Sequence, residues 1–292
     1  MHTALKKMPG LTGLYRKAFF SQFRRKNEIL HGLPTLSVEL RQIRLRPRAV
    51  RAYQRVCGFT QDPNRVPATY LHNVAFRLHM QLMTDKHWPL PVMGTVHMRN
   101  QIFQIAHLDV RQPLDMHCRL QEFRSSARGC EFCLISEAFQ QGNLIWQDIS
   151  TFMQLNPQGS QPIKTRARQN MHYANTRTWH LNAATGRNFA RISGDANPIH
   201  MGLLSARIFG FKRAIAHGMY LKARALAGLL NKIQSERYQL DVQFKKPVYL
   251  PGSVRFEYQA NPQGYDFQLY DAQDILCLCG KLEESAGNPL RL

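Results

Sequence analysis

Cysteines and acidic residues are scarce in this chain, and long apolar runs are absent. Six cysteines in 292 residues are too few for a disulfide scaffold, and so sparse a set fits the reducing cytoplasm, where we expect the protein. No run of about 18 uncharged apolar residues occurs, so no membrane-spanning helix is expected. Hydrophobic residues nevertheless make up 44% of the sequence. This composition excludes intrinsic disorder and predicts a folded protein with a sizeable core.

The shortage of acids leaves a formal charge of +20, from 39 Lys and Arg against 19 Asp and Glu. The excess is uneven: residues 1–50 hold 11 basic side chains against two acidic ones, and residues 151–250 hold 15 against three. Such a charge indicates a polyanionic partner. The spacings of a zinc finger, an aromatic RNA-binding motif and a helix-turn-helix are all missing. We therefore expect no nucleic acid as partner.

Residues 1–33 are predicted to form a basic N-terminal extension. Apolar side chains recur there near helical spacing, with lysines and arginines between them: Leu5, Met8, Leu11, Tyr15, Phe19 and Phe23. The pair Pro9-Gly10 interrupts this helix, and the apolar core and cleavage site of a signal peptide are missing. We interpret the segment as a basic helix that packs on, or dangles from, the first domain. Peripheral contact with an anionic membrane surface is the alternative.

The rest of the chain falls into two halves with the same order of elements. A polar, turn-rich stretch near the midpoint predicts a linker at 157–170 between domains at 34–156 and 171–292. Each half has a strand, one or two short helical stretches, a long apolar helix (70–83 and 219–233) and then four alternating strands. This order predicts a duplicated α+β unit, in which a curved antiparallel sheet wraps a central helix.

Polar side chains that could carry chemistry concentrate between residues 189 and 219. Asp195 and His200 stand five apart across a loop bracketed by Gly194 and Pro198, so the two side chains can fold toward one point. A carboxylate beside an imidazole can hold a water molecule and move its protons near neutral pH. Taken alone, such a spacing is more often that of turn-forming or surface residues.

A second piece of this segment, Ala216-His217-Gly218, leads directly into the second long helix. The start of a helix offers unpaired N–H groups and a partial positive charge, which suit a developing oxyanion. Gly218 allows another group to approach that backbone closely. His217 is interpreted as a buried structural residue of the junction, with a place in the site as the alternative. Such equipment is suited to adding water to a double bond conjugated to a thioester carbonyl.

The motifs Gly194-Asp195-x-Asn197-Pro198-x-His200 and Ala216-His217-Gly218-Met219 resemble the signature of the MaoC-like dehydratases and the (R)-specific, type-2 enoyl-CoA hydratases. The resemblance implies the hotdog fold, here as a double hotdog whose first repeat is degenerate and lacks the motif. It implies that Asp195 and His200 are the catalytic dyad, that Asn197 supports them, and that a backbone N–H near Gly218 binds the thioester oxygen. It further implies reversible hydration of trans-2-enoyl thioesters to (3R)-3-hydroxyacyl thioesters, without a metal or cofactor.

Further expectations concern the carrier of the acyl group. A basic rim around the site would suit either the phosphates of CoA or an acidic acyl-carrier protein. The candidate residues for this contact are Lys212, Arg213, Lys245 and Lys246. We expect a monomer or a homodimer. One departure from the family pattern is Gly202, which stands two positions after the motif histidine, where many members have an acidic residue.

Three rival functions stay open. A non-catalytic protein that binds acyl thioesters would keep the fold and tolerate loss of Asp195. Many hotdog thioesterases place an acid on the long helix, and here no acid occurs at 201–235 or at 70–84. A nucleic-acid or membrane-surface binder would use the basic segments instead. The hydratase is the function that the intact set of Asp, His and Asn favours.

Overall fold

The described part of the chain consists of five ranges. The computed structural model describes residues 1–21, 35–60, 65–126, 129–155 and 173–284. Within these ranges no helix is both long and apolar enough to cross a membrane. The predicted linker lies outside the described residues, and the predicted domain boundaries stay predictions.

The first half of the structure has the predicted order of elements after an N-terminal strand and helix. Its elements are β1 (His2–Leu5), α1 (Leu11–Ser21), β2 (Ser37–Ile43), α2 (Pro47–Cys57), α3 (Ala68–Met83), β3 (Thr95–Gln104), β4 (Leu114–Ser126), β5 (Gly129–Gln140) and β6 (Asn143–Leu155). Helix α2 begins with Pro47, whose fixed φ and missing N–H suit the first helical turn. It ends at Gly58 in the left-handed conformation, with φ of 79°.

The second half repeats this order. Its elements are β7 (Asn175–Leu181), α4 (Thr185–Ser193), α5 (Leu203–Ile208), α6 (Gly218–Leu229), β8 (Tyr238–Phe244), β9 (Gly252–Asn261), β10 (Gly264–Asp271) and β11 (Leu276–Glu284). Short 3₁₀ turns lie at Pro198–His200 and Leu230–Lys232. The helix predicted at 219–233 therefore ends as an α-helix at Leu229 and continues as a single 3₁₀ turn.

All eleven strands of the described residues form one sheet, in the order β1-β2-β4-β5-β6-β3-β8-β11-β10-β9-β7. Apart from β1, the order β2-β4-β5-β6-β3 of the first half is repeated by β7-β9-β10-β11-β8 of the second, each counted from edge to centre. The halves meet where β3 pairs antiparallel with β8, from Arg99↔Gln243 to Gln104↔Tyr238. This symmetric order confirms the predicted duplicated α+β fold.

The helices α3 and α6 are buried on most sides, as predicted for helices that a sheet wraps. Twelve of the 16 residues of α3 and eight of the 12 residues of α6 are buried. Removing apolar surface from water contributes about 25 cal/mol per Å², so the burial of these two helices stabilises the core. The first turn of α6 is consequently held fixed by the packing of the turns behind it.

A buried polar network crosses the seam between the two halves. Lys222 of α6 donates to the backbone oxygens of Asn100 on β3 (2.8 Å) and Leu240 on β8 (3.0 Å), and also to the Asn100 side chain. The Asn100 amide donates to Asp148 on β6 (2.8 Å), and this carboxylate accepts a second bond from His72 of α3 (2.9 Å). The two central helices are therefore connected through buried charges and hydrogen bonds as well as by apolar packing.

The N-terminal segment differs from its prediction. Leu5, the first apolar residue of the predicted helical pattern, lies instead at the end of strand β1, which pairs in parallel with β2. The helix begins only at Leu11, after the predicted interruption at Pro9-Gly10, and buries Leu14 and Ala18. Helical spacing cannot reveal that the edge of a sheet is free to accept a short strand. The described part of the segment is packed on the core and does not dangle from it.

Candidate active site

The loop that follows α4, residues 194–200, carries the predicted pair of side chains, and we call it the dyad loop. Gly194 ends α4 in the left-handed conformation, with φ of 83°, which turns the chain out of the helix. The side chain of Asn197 accepts from the N–H of Ile199 (3.4 Å) and so begins the 3₁₀ turn that ends at His200. The loop is thus short and fixed at both ends, with Asp195 near its beginning.

Asp195 is held by three groups. Its Oδ1 accepts from the backbone N–H of Asn197 (3.2 Å) and from the hydroxyl of Tyr15 (3.3 Å), and its Oδ2 lies 3.8 Å from Nε2 of His217. Burial alone would raise the pKa of this carboxyl, but the imidazoles of His217 and His200 and the two hydrogen bonds together lower the pKa below its ordinary value. Asp195 is therefore an ionised carboxylate at neutral pH.

His200 is buried, and its hydrogen bond assigns the tautomer. Its Nδ1–H donates to the backbone oxygen of Ile215 (2.8 Å), which leaves Nε2 with a free lone pair. Burial lowers the pKa of His200, against the opposing effects of Asp195 and of the Ile215 carbonyl. At neutral pH the ring is an uncharged base whose proton acceptor is Nε2.

His217 lies in the same cluster. Its Nε2–H donates to the backbone oxygen of Asp195 (2.9 Å), and its ring stacks on that of His200 with the centroids 3.6 Å apart. Burial, with a further contribution from His200, lowers the pKa of His217 to about 3. The sequence left two roles open for His217, a structural one and a place in the site. The structure fits both, because His217 is buried at the junction that begins α6 and also contacts Asp195 and His200.

The side chains of Asp195, His200 and His217 each bring one ligand-type atom within 4.8 Å of the others. This spacing lets one water molecule hydrogen-bond to a carboxylate oxygen and an imidazole nitrogen at once. A carboxylate and two imidazoles are also ligand types that zinc accepts. The expectation that no metal takes part therefore stays a prediction, which metal analysis of the purified protein tests.

Gly218 is the first residue of α6, and its surroundings require a glycine. A Cβ at this position would lie 2.7 Å from the ring of Phe244 on β8. The N–H groups of Tyr220 and Leu221 bond to the oxygen of the residue before the helix, whereas those of Gly218 and Met219 have no acceptor within it. Two amides without an intrahelical acceptor and the partial positive charge of the helix start would suit an anionic oxygen.

The four candidate residues for carrier binding lie on exposed loops. Two of them precede the residues that lead into α6, and two follow β8: Lys212, Arg213, Lys245 and Lys246. The guanidinium of Arg213 donates to the backbone oxygen of Pro251 (3.2 Å), and the ammonium of Lys245 donates to the side chain of Gln243 (2.6 Å). None of the four is paired with a carboxylate of the described residues, so their charges are free to face an anionic partner.

Two residues of this site were not predicted. Tyr15 reaches Asp195 from helix α1, 180 positions earlier in the chain, and no motif links the two. Gly186 of α4 packs against the dyad loop, because a Cβ there would lie 2.2 Å from the backbone oxygen of His200. A glycine inside a predicted helix is a signal of close approach, but the sequence does not reveal what approaches.

A separate cavity of about 410 Å³ lies beside the C-terminal half of α6. Its lining includes the basic residues Arg177, Arg224 and Lys232, and it includes neither member of the dyad. The candidate active site is therefore distinct from this cavity.

Known proteins resemble this chain in sequence and in fold. The family described as MaoC like domain matches residues 157–268, which include both motifs. The chain is similar to 3-hydroxyacyl-thioester dehydratase X of Mycobacterium tuberculosis, with 28% identity over 239 residues that cover 81% of this chain and 85% of that protein. The crystal structure of HtdX from Mycobacterium tuberculosis has a TM-score of 0.75 to this chain at 27% identity, covering 85% of this chain and 100% of the other.

A more distant structure shares the fold. The MaoC-like dehydratase of Phytophthora capsici has a TM-score of 0.69 at 15% identity and covers 88% of this chain and 97% of its own. These similarities and the symmetric sheet confirm the predicted hotdog architecture. Both motifs lie inside the matched residues, so the second half of the chain is similar to the MaoC-like domain, and the whole chain is similar in fold to MaoC-like dehydratases.

Proposed function

We propose that this chain is a hydro-lyase that reversibly adds water to trans-2-enoyl thioesters and forms (3R)-3-hydroxyacyl thioesters. The observation that carries the proposal is the meeting, in one site, of the ionised Asp195, the uncharged His200 and the unpaired amides at the start of α6. Similarity to a 3-hydroxyacyl-thioester dehydratase supports the same class of reaction.

The protonation states of the dyad restrict the path of the proton. Asp195 is ionised and carries no proton. The single ring proton of His200 lies on Nδ1 and is donated to Ile215, so Nε2 is free. Toward a bound water, both groups can therefore accept a proton but cannot donate one. In the hydration direction, one of them takes a proton from water while the water oxygen forms a bond to C3. Since neither holds a proton to give at the outset, the proton that reaches C2 is the one that water gave up. Dehydration reverses these steps.

The start of α6 stabilises the charge that develops on the thioester. As the oxygen of water bonds to C3, the electron pair of the C2=C3 double bond moves toward the carbonyl and produces an enolate-like oxygen. In this proposal the N–H groups of Gly218 and Met219 donate to that oxygen, and because both amides belong to the fixed first turn of α6, little reorganisation is needed. One such donor contributes about 10²–10³ in kcat in other enzymes.

We infer that the carrier is CoA or an acyl-carrier protein, both of which are anionic. Residues 214–216 pair antiparallel with residues 248–250, so the exposed Lys245 and Lys246 lie toward the start of α6, and the exposed Lys212 and Arg213 lie at the other end of this pairing. A basic rim there would hold the carrier while the acyl group enters the site. One chain already contains both repeats, and the active unit is proposed to be a monomer or a homodimer.

Hydration of crotonyl-CoA and of longer trans-2-enoyl-CoA thioesters tests the proposal. The wild-type protein should consume the conjugated double bond, seen as loss of its ultraviolet absorbance, and chiral analysis of the product should give the 3R alcohol. Asp195→Asn and His200→Gln should each lower kcat by about 10²–10⁴-fold, because each removes a group that handles the transferred proton.

Matched controls make the same chemical changes away from the dyad loop. Asp266→Asn on β10 and His180→Gln on β7 should keep the wild-type rate. Full activity in the double variant Asp195→Asn/His200→Gln would show that the dyad is assigned wrongly. A wild-type protein that binds enoyl-CoA without turning it over would favour the non-catalytic alternative instead.

A further inference from the structure

Helix α1 lies outside the duplicated core, yet it contacts the dyad loop of the second repeat. Leu11, at its start, packs so closely on the loop that a Cβ at Gly194 would lie 2.9 Å from Leu11 Cδ1. One turn later, Tyr15 reaches the residues that follow. At the other end of the helix, the Ser21 hydroxyl accepts from the N–H of Val92 in the first repeat (3.2 Å). Helix α1 therefore bridges the first repeat and the dyad loop.

The hydroxyl of Tyr15 contacts three consecutive residues of the dyad loop. It accepts from the N–H of Ala196 (2.6 Å), and its proton lies between the backbone oxygen of Gly194 (3.2 Å) and Oδ1 of Asp195 (3.3 Å). Burial, together with the neighbouring Asp195 charge, raises the pKa of Tyr15 far above that of an ordinary phenol. The hydroxyl therefore keeps its proton, and stays a donor, wherever the protein is folded and active.

We propose that Tyr15 is a positioning residue of the active site, supplied by the N-terminal helix, which orients the Asp195 carboxylate and the backbone that follows it. The inference rests on the proposed hydration of enoyl thioesters, because only that reaction gives Asp195 its task. Tyr15 acts through Asp195 and not on the substrate. Its role is distinct from that of the motif residues, which all come from the second repeat.

Two physical effects support this role. A hydrogen bond donated to a carboxylate stabilises its charged form, so the hydroxyl lowers the pKa of Asp195. Without that bond, Oδ1 of Asp195 would keep only the backbone N–H of Asn197 (3.2 Å), and the carboxylate could rotate about that contact. The bond from Ala196 also fixes the backbone directly after Asp195, and small displacements of a reacting group are costly in rate.

The substitution Tyr15→Phe removes the hydroxyl and keeps the ring. We expect kcat for crotonyl-CoA hydration to fall by about tenfold to a hundredfold, with KM changed by less than about twofold, because the lost interaction serves the proton-handling group and not thioester binding. We also expect the titration midpoint of the Asp195 carboxyl to rise. Carboxyl ¹³C NMR measures it directly, with the resonance assigned by its absence in Asp195→Asn.

A matched control removes another buried tyrosine hydroxyl. Tyr270 on β10 donates to the side chain of Gln268 (2.7 Å). Tyr270→Phe should leave kcat and the Asp195 titration unchanged, even where it lowers the midpoint of thermal unfolding. A structural effect common to any lost hydroxyl is thereby separated from an effect on Asp195.

Coupling between the two residues gives a second criterion. In an Asp195→Asn background, Tyr15→Phe should cost less than about twofold in the remaining rate, because the group through which it acts is already gone. If the full loss appeared again in that background, Tyr15 would act on something other than Asp195, and the inference would be overturned.

The outcomes separate this inference from the proposed function. A wild-type protein without hydratase activity would contradict the proposed function, while the NMR titration would still decide whether Tyr15 sets the charge of Asp195. Wild-type kcat together with an unshifted Asp195 titration in Tyr15→Phe would overturn the inference alone. Should Tyr15→Phe not fold, difluorotyrosine at position 15, a stronger donor of nearly the same shape, should lower the Asp195 midpoint, and an unchanged midpoint would contradict the inference.

Discussion

Burial determines the protonation of both imidazoles in the candidate site. His200 and His217 stack face to face, and the pKa of each lies below its ordinary value because burial desolvates the charged ring, with a further contribution from His200 in the case of His217. His200 donates its one proton to Ile215, and His217 donates its proton to the backbone of Asp195. Each ring is left with one lone pair, and the site holds bases at neutral pH without a proton to release.

The pH dependence of turnover follows from these states. We expect kcat for hydration to be constant from neutral to mildly alkaline pH and to fall on the acid side with a midpoint below 6.5, because the lowered pKa of His200 delays its protonation to a lower pH. A protonated Nε2 can no longer accept from water. The measurement is kcat at saturating crotonyl-CoA between about pH 4.5 and about pH 9.

His180→Gln provides the control for this profile, since His180 is exposed on β7. Its removal should leave the midpoint unchanged. An acid limb with a midpoint above about 7 would mean that the base in the site is not a desolvated histidine, and the assignment of His200 as the uncharged acceptor would have to be abandoned.

How far residues could be predicted depended on how local their contacts are. Asp195, Asn197 and His200 lie within one seven-residue loop, so the motif that they form could be recognised in the sequence. Tyr15 joins that loop across 180 positions. Its place depends on where helix α1 docks, which no spacing within the sequence encodes.

At the level of secondary-structure elements, helix α4 and the dyad loop pack backbone against backbone. A Cβ at Gly186 would lie 2.2 Å from the backbone oxygen of His200 and 3.4 Å from Cδ1 of Leu250. The backbone oxygen cannot swing away as the end of a long side chain can. Gly186 therefore sets the separation between α4 and the 3₁₀ turn that ends at His200.

Gly186→Ala tests this contact against helix propensity. Alanine is the better helix former by about 1 kcal/mol, yet we expect the variant to be less stable by about 1–3 kcal/mol, because the added methyl overlaps the backbone of the dyad loop. The rate should fall as well, since His200 is displaced. Denaturant unfolding and kcat for crotonyl-CoA measure the two effects.

Gly13→Ala in α1 is the matched control. A Cβ at Gly13 would meet no atom within 4 Å, so the same exchange should raise the free energy of unfolding by about 0.5–1 kcal/mol and leave kcat unchanged. A Gly186→Ala protein that gained stability in the same way would disprove the close approach of α4 to His200.

Elements with a strong apolar pattern could be predicted from the sequence, whereas the short edge strand β1 could not. The helices predicted at 70–83 and 219–233 were found at Ala68–Met83 and Gly218–Leu229, because burial on most sides leaves a sequence that is mostly apolar. Leu5 fits the helical spacing of the segment equally well. Its strand exists because the edge of β2 is available to it, and that depends on the rest of the sheet.

On the scale of the whole molecule, the seam between the halves combines strand pairing with buried charge. Burial alone would raise the pKa of Asp148, but the neighbouring His72 and the surrounding hydrogen bonds lower it, so the group is an ionised carboxylate. Burial lowers the pKa of Lys222 to about 7, and its side-chain nitrogen donates to three acceptors of β3 and β8. Removing one member of this buried network leaves its partners unpaired away from water, and this destabilises the folded state.

Asp148→Asn should therefore destabilise the molecule as a unit. Removing one charge of a buried, paired set costs about 3–5 kcal/mol, and because the network joins α3 to α6, both halves should lose that stability together. We expect wild type and variant to unfold in one cooperative transition, with the variant's midpoint shifted to lower urea concentration. Circular dichroism and tryptophan fluorescence should report the same midpoint.

Asp109→Asn is the control for this loss of charge, since Asp109 pairs with Arg111 at the surface. Exposed pairs contribute little, and the urea midpoint should not change measurably. Two separate transitions in the wild-type protein would contradict the view that the seam couples the halves.

The duplication itself was visible in the order of the elements, but its polar seam was not. Lys222 stands in a sequence rich in alanine and leucine, and His72 stands in an equally apolar helix. Both lie four residues after the first residue of their helix. The sequence contains this correspondence, but its meaning could not be predicted, because the partners on β3, β6 and β8 are known only from the assembled sheet.

The contact between Tyr15 and Asp195 also bears on the order of folding. Contacts between positions far apart in the chain form late, because the intervening chain must first be ordered. The second repeat can bring Asp195 and His200 together through local contacts, whereas the hydroxyl of Tyr15 arrives only once α1 has docked across both repeats. During refolding, helix and sheet signals are accordingly restored before turnover, and a half-assembled molecule that already holds the dyad has yet to acquire its full rate.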